Sequence, residues 1–391
     1  MPHSSLRSCL ILLTLLLVAP PARGDHAAEP VVDPTAVPAP DLDPTDQTPE
    51  GTPRHTGKSF TPLVAPIPFK NTQVGWGLVL MAGAIHRFDP DTTYKPSTGA
   101  VCGFYTENQS WGVMAVEVAR FSRDRWRARG LLSHMDLNYD FYGIGEDAGS
   151  AGVAFGIEQK MDFAVLSGLR RVTHGFYAGA AAMWLGTTAK PKSELPPDVQ
   201  PPGSDFSHAS LVAPGLQAEL DTRDDDYWPS HGSLAKLKGW FFASGLGSTR
   251  EFQRYAFFWS WYTRLAPPLV LATNANALGV SGDAPFYALP ALGTGVGGLR
   301  GYTQGRYRDR VAVTVQAEAR YHTKGRLGGV VFGGAGLVAP DVSGFGKAEV
   351  LPAGGVGLRF QLTRNYPMHM RFDYAWGKDA PLFYFSVAEA F

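Results

Sequence analysis

Cysteine is almost absent from this sequence of 391 residues. It has two, Cys9 and Cys102, and Cys9 lies in an N-terminal segment that we expect to be removed. The single thiol that remains cannot close a disulfide within the chain and cannot build a thiolate metal site alone. Any exported domain must therefore be held together by other means.

Long hydrophobic runs are also scarce. The apolar run at residues 9–18 precedes Ala22-Arg23-Gly24, which is the pattern of a secretory signal peptide cleaved before Asp25. We therefore predict a signal peptide over residues 1–24. No later segment has about 18 consecutive apolar residues, so no transmembrane helix is expected in the exported chain. Any membrane insertion must then take the form of a β-barrel.

The chain has no excess of charge of either sign, with 35 basic and 35 acidic residues. It carries no basic stripe, so it lacks the electrostatic footprint of a nucleic-acid-binding protein. Residues 25–57 contain seven prolines and seven acidic residues but few large apolar ones. Such a segment cannot bury enough surface to fold, and we predict a disordered periplasmic tail.

Glycine, aromatic residues and alternating patterns are abundant. The chain has 45 glycines and 12% aromatic residues, with only 18% charged residues, a composition typical of a β protein with many turns. Between residues 311 and 321, apolar side chains such as Val313 alternate with polar ones such as Glu318. This alternation predicts a strand with lipid on one face and water on the other.

Sixteen candidate strands can be traced between residues 59 and 391. Tight turns alternate with long connections, which span residues 139–153, 187–207, 280–308 and 339–350. Short periplasmic turns and long extracellular loops are the expected asymmetry of outer-membrane barrels. We predict an all-β fold over residues 58–391: a 16-stranded antiparallel transmembrane β-barrel with an inward-folded extracellular plug loop.

The plug loop is the glycine-rich stretch at residues 281–308. It holds seven glycines, and Arg300 stands near its middle within Gly297-Gly298-Leu299-Arg300-Gly301-Tyr302. Glycine lets the backbone fold back on itself and approach a wall closely.

Three separated motifs resemble the bacterial surface antigen domain, the barrel of the BamA/TamA superfamily of outer-membrane assembly and secretion proteins. They are Leu299-Arg300-Gly301-Tyr302, then Gln316-Ala317-Glu318-Ala319-Arg320, and the periplasmic turn Asp221-Thr222-Arg223-Asp224 with Pro229 and Gly232. The resemblance implies that the loop tucks into the lumen and that Arg300 bonds to inner-wall residues, with Glu318 as an acceptor.

Two departures from the family pattern stand out. Many members carry a carboxylate in a Phe-x-Asp-x-Gly pattern on the following strand, but this chain reads Phe332-Gly333-Gly334-Ala335-Gly336. Our hypothesis is that Asp373 replaces this second acceptor. BamA and TamA also carry periplasmic POTRA modules, whereas only the short acidic tail precedes the barrel here, so insertase activity does not transfer automatically.

Other chemistry is weakly supported. Gly293-x-Gly295-x-x-Gly298 has the glycine spacing of a dinucleotide-binding fingerprint. No βαβ pattern surrounds it, so a nucleotide site is not favoured. The aspartates of the periplasmic turn could gather calcium, but a turn stabilised by Arg223 is favoured. We expect no enzyme activity, catalytic residue, metal or cofactor. The chain finishes on an aromatic residue, Phe391, placed on one face with Phe383, Phe385 and Val387, which is typical of a C-terminal assembly signal.

Two functions remain open. The resemblance implies protein insertion, assembly or translocation at a weak seam between the first and last strands, with outer-membrane lipid and unfolded protein clients as partners. Pro62, Pro66 and Pro68 remove hydrogen-bond donors from the first strand, which suits an edge. The alternative is a passive channel or a structural surface barrel, which the missing POTRA modules favour. The oligomeric state is left open.

Overall fold

The computed structural model describes residues 60–88, 96–193, 206–225, 227–293, 298–323, 325–362 and 369–391. The predicted signal peptide and acidic tail lie outside these residues, as do Gly295, Gly297 and Asp226. Within the described part of the chain, no helix is both long enough and apolar enough to cross a membrane.

Sixteen strands make up almost all of the described structure. They are β1 (Phe60–Asn71), β2 (Gly75–His86), β3 (Ser97–Thr106), β4 (Trp111–Phe121), β5 (Trp126–Phe141), β6 (Phe155–Thr173), β7 (Phe176–Pro191), β8 (His208–Asp221), β9 (Gly232–Phe242), β10 (Phe252–Ala266), β11 (Leu269–Gly282), β12 (Val311–His322), β13 (Leu327–Ala339), β14 (Leu351–Gln361), β15 (His369–Trp376) and β16 (Leu382–Val387). One short helix, α1 (Glu146–Ala151), lies in the connection between β5 and β6.

The strands form one closed antiparallel sheet. Each strand pairs with its neighbours in the sequence, and β1 meets β16 to close the ring. The predicted fold, a 16-stranded antiparallel barrel, is therefore confirmed. Most backbone hydrogen bonds are therefore made between neighbouring strands within the wall.

Side chains alternate between the two faces of the wall. On β12, Gln316, Glu318 and Arg320 are buried inside, while Val315 and Tyr321 are each 51% exposed outside. Many large apolar side chains share this outer face, which is too extensive an apolar surface to face water. The outer face is accordingly the lipid-facing surface of a membrane barrel.

Aromatic packing fills part of the lumen near the long connections. Phe242 and Phe252 stack with ring centroids 4.1 Å apart, and Phe141 lies 4.8 Å from Phe286 of the plug loop. These side chains belong to a cluster of buried apolar residues that spans β1 to β10. Because this cluster lies at the end with long connections, we take the packed end as extracellular.

The last strand is shorter than the strand that the sequence pattern predicts over residues 382–391. It ends at Val387, and Ala388 adopts a left-handed φ of 76° that turns residues 388–391 into the lumen. Phe391 is only 2% exposed and lies in the lumen, so the prediction that it shares a face with Phe383 and Phe385 is wrong. The inward turn is held by Arg320, whose Nη2 donates to the Phe391 carbonyl at 2.7 Å.

The closure between β1 and β16 is the shortest pairing in the wall. The described residues of these strands share one register pair, Lys70 with Phe385, whereas β1 pairs with β2 over all twelve of its residues. On the outer face, Lys70 lies 5.3 Å from the Trp76 ring, which packs 6.1 Å from Phe385. We call this junction the seam.

Candidate functional site

Arg300 of the plug loop is buried against the inner wall. Its Nη2 donates to Glu318 Oε2 on β12 at 2.6 Å, and its Nη1 donates to Asp373 Oδ2 on β15 at 2.7 Å. Both carboxylates are fully buried, and the Arg300 side chain is 5% exposed. Bonds between guanidinium and carboxylate in such a dry site are strong, directional contacts.

Glycine is needed next to Arg300. Gly301 has a φ of 104°, a backbone angle that residues with a side chain rarely adopt. A Cβ at this position would lie 2.8 Å from the Trp376 carbonyl oxygen. Its N–H donates to the Tyr384 hydroxyl on β16 at 3.0 Å. The backbone therefore passes so close to the wall that only glycine fits.

The residues on either side of this pair anchor the loop. Tyr302 donates its hydroxyl to the Pro352 carbonyl at 2.7 Å. Leu299 packs with Leu292, Val338 and Leu351 in a buried cluster, and neither Leu299 nor Tyr302 is exposed. All four residues of the motif Leu299-Arg300-Gly301-Tyr302 thus contact the barrel interior.

The β13 segment that departs from the family's Phe-x-Asp-x-Gly pattern contacts Arg300 through its aromatic ring. Arg300 Cζ lies 3.4 Å from the centroid of the Phe332 ring, so the guanidinium stacks on an aromatic face. Gly334 stands where the family pattern has a carboxylate, and a Cβ at that position would lie 2.4 Å from the Val315 carbonyl. The acceptor for Arg300 comes instead from Asp373, two strands further along the chain.

Three further residues extend the ion-pair network. Arg320 Nε donates to Glu318 Oε1 at 2.5 Å. Arg359 of β14 donates to Asp373 Oδ1 and to Glu389 Oε2, each at 2.6 Å. Arg359 and Glu389 gave no motif signal, and only their placement on the lumen side could have suggested them.

The plug loop also contacts both sides of the seam. On the β1 side, Asn71 Nδ2 donates to Gln304 Oε1 at 2.7 Å, and Gln304 N donates to Thr72 Oγ1 at 2.9 Å. On the β16 side, the contact is the bond from Gly301 to Tyr384. The loop therefore spans the seam from inside.

The periplasmic turn between β8 and β9 is ordered by its aspartates. Arg223 Nε and Nη2 donate to the two oxygens of Asp221, each at 2.8 Å. Asp224 accepts from the hydroxyl and N–H of Ser230 at 2.5 and 2.8 Å. Burial disfavours ionisation of Asp224, but the hydrogen bonds from Ser230 and His231 outweigh it and the pKa lies below its usual value.

The remaining turn residues shape the barrel mouth. Gly232 follows with a φ of 95°, and Pro229 precedes it in the turn. Trp228, which precedes Pro229 in the turn, has its ring centroid 4.4 Å from that of His369 on β15. The turn therefore reaches across the mouth of the barrel toward the wall that holds Arg300.

A family model for the Omp85 superfamily domain matches residues 119–391. No curated protein matches the sequence. BamA from Haemophilus ducreyi lacking POTRA domains 1–3 has a similar structure, with 15% identity and a TM-score of 0.56 over 84% of this chain and 70% of that one.

Two further solved structures have the same fold. CdiB from Escherichia coli has 11% identity and a TM-score of 0.58, over 85% of this chain and 63% of that one. CdiB from Acinetobacter baumannii has 11% identity and a TM-score of 0.54, over 84% of this chain and 60% of that one. The family model covers more than half of the chain, including the plug-loop motif, the β12 motif and the periplasmic turn motif. The chain belongs to the Omp85 superfamily of outer-membrane β-barrels.

Proposed function

We propose that this barrel inserts, assembles or translocates proteins at the outer membrane, and that the seam is where a client strand pairs. The observation that carries the proposal is the single register pair between β1 and β16. An incompletely paired edge can template an incoming strand by main-chain hydrogen bonding. Export by the predicted signal peptide is part of the same proposal.

The prolines of β1 support this assignment. Pro62, Pro66 and Pro68 are all an even number of residues apart, so their missing N–H groups lie on the same edge of the strand. Because β1 pairs with β2 along its whole length, we place that edge toward β16. The β16-facing side of β1 then has few donors with which to close the barrel.

The plug loop is proposed to act as a latch on this seam. Arg300 fixes the loop to β12 and β15, while Gln304 and Gly301 touch the two sides of the seam. Opening the seam would require at least one of these contacts to break. The buried ion pairs would thereby set how readily the barrel opens.

A disulfide lock tests the proposal. Lys70→Cys and Phe385→Cys are register partners across the seam and can be oxidised in a Cys102→Ser background. The matched control lock is Ala317→Cys with Gly333→Cys, which are register partners of the fully paired β12 and β13. We expect the seam lock to stop insertion of an unfolded barrel client into proteoliposomes, with recovery on reduction, and the control lock to have little effect.

A passive channel predicts a different result. A steady ionic conductance in planar bilayers, unchanged by either lock and accompanied by no client insertion, would replace the assembly proposal. The aromatic packing of Phe141, Phe242, Phe252 and Phe286 across the extracellular part of the lumen favours a closed barrel.

A further inference from the structure

We propose that a single small anion binds in the lumen beside β16, held by Arg371 of β15 with Arg359 of β14 and Ser386 of β16. Chloride is the anion that fits the chemistry. The site is separate from the proposed latch contacts of Arg300, although it lies next to them.

The three residues stand side by side on the inner wall. Arg371 is the register partner of Arg359 on one side and of Ser386 on the other. Directly opposed side chains on one face of an antiparallel pair lie close together, and like charges there repel. Negative charge between or beside these two neighbouring guanidinium groups would therefore stabilise them in a largely buried wall.

The nearby carboxylate is already engaged. Asp373 Oδ2 accepts from Arg300 at 2.7 Å and Asp373 Oδ1 accepts from Arg359 at 2.6 Å. Arg371 Nε lies 3.6 Å from Asp373 Oδ2, beyond hydrogen-bonding distance. Arg371 thus forms an ion pair with Asp373 but donates no hydrogen bond to it.

Each of these three register partners has an unpaired polar atom. Within the described chain, Arg371 Nε and Nη1, Arg359 Nη2 and Ser386 Oγ are buried atoms without a hydrogen-bond partner. A guanidinium has donors only, so the missing partner must be an acceptor. Buried polar groups in native proteins nearly always have a partner, which is often an ordered water or an ion.

An anion would pair with the unpaired donors of Arg371, Arg359 and Ser386 better than water would. Water would accept one or two of these hydrogen bonds but would leave the repulsion between Arg371 and Arg359 in place. One anion would give Arg371 an acceptor within hydrogen-bonding distance, which Asp373 does not, and a compact monovalent ion suits donors that solvent does not reach. Bound there, it would tie β14, β15 and β16 together immediately beside the seam.

Bromide provides a direct probe of the full chain. Crystals of the unaltered protein soaked in sodium bromide should give an anomalous peak within hydrogen-bonding distance of Arg371. In detergent, the temperature at which the folded, fast-migrating form is lost should be higher in sodium chloride than in sodium gluconate of equal ionic strength. We expect a shift of about 2 °C or more, since a ligand that binds only the folded state stabilises it.

Variants locate the effect. Arg371→Gln should abolish the chloride-specific shift, whereas Lys238→Gln, at a lumen-facing position of β9 on the far wall, should retain it. The absence of both an anomalous peak and a chloride effect in the unaltered protein would mean that water satisfies these donors. A chloride effect that survives in Arg371→Gln would place the anion elsewhere, and either result overturns the proposal.

Discussion

The guanidinium of Arg300 lies over the ring of Phe332, with Cζ 3.4 Å from the ring centroid. Arg300 is therefore held in three directions, by Glu318, by Asp373 and by an aromatic face. Each contact comes from a different strand of the wall.

Removing the guanidinium should release the loop. Arg300→Ala leaves Glu318 and Asp373 buried with one cation fewer, and breaking a buried pair in this way costs about 3–5 kcal/mol. Amide exchange across residues 298–308 should then accelerate sharply, as measured by mass spectrometry in detergent.

Lys378→Ala is the matched control, because Lys378 pairs with Glu349 on the extracellular surface where both side chains are more than 40% exposed. Its loss should leave exchange in the loop unchanged. Equal exchange in Arg300→Ala and the unaltered chain would show that the ion pairs do not hold the loop.

Asp373 should be coupled to Arg300 energetically. Asp373→Asn removes the negative charge that Arg300 and Arg359 share and leaves one acceptor oxygen for two donors. It should therefore destabilise the barrel more in the unaltered chain than in the Arg300→Ala background. A double-mutant cycle on urea unfolding in detergent should yield a coupling energy of about 0.5–3 kcal/mol. Additive effects of the two substitutions would mean that the 2.7 Å contact contributes nothing.

The aromatic contact can be tested without changing charge. Phe332→Leu keeps an apolar side chain but removes the ring face, and a partly desolvated cation–π contact is worth about 0.5–2 kcal/mol. The loss should appear as faster exchange in the loop. Phe360→Leu, on the lipid-facing side of β14, is the control and should not affect the loop; a similar loss in both variants would point to packing alone.

The turn at Asp224 should depend on pH. Its pKa is lower in the folded state than its usual value of about 3.9. The stabilisation is therefore complete above that usual value and is lost as the pH falls through the lower folded-state pKa. The difference in thermal midpoint between the unaltered chain and Asp224→Asn should be constant from pH 7 to about pH 5 and shrink below about pH 4. A difference that persists unchanged at the lowest pH would exclude a role for the carboxylate charge.

The strands could be predicted because their signal is local. Alternation along β12 and the tight turns at one end depend on neighbouring residues only, and they were enough to give sixteen strands in one closed ring. The boundaries differ by a few residues at several strands, and β16 ends four residues before the predicted strand at 382–391 does. A pattern of period two does not reveal that Ala388 takes a left-handed φ and turns the chain inward.

The site was less predictable because it depends on which strands face each other across the lumen. Arg300 and Glu318 stand in motifs, but Arg359 and Glu389 gain their partners only through curvature of the closed wall. Asp373 could be proposed from its lumen-facing position. The stacking of Arg300 on Phe332 could not, since nothing in the sequence places the two side chains at one height.

The single pair between Lys70 and Phe385 also has a consequence for the order of folding. Every other strand pairing joins neighbours in the sequence, whereas these two residues are more than 300 positions apart. Closing so long a loop carries the largest chain-entropy cost in the molecule and returns the fewest hydrogen bonds. The ring should therefore shut last during folding, and residues 388–391 must be inside before it does. During unfolding the same junction should part first.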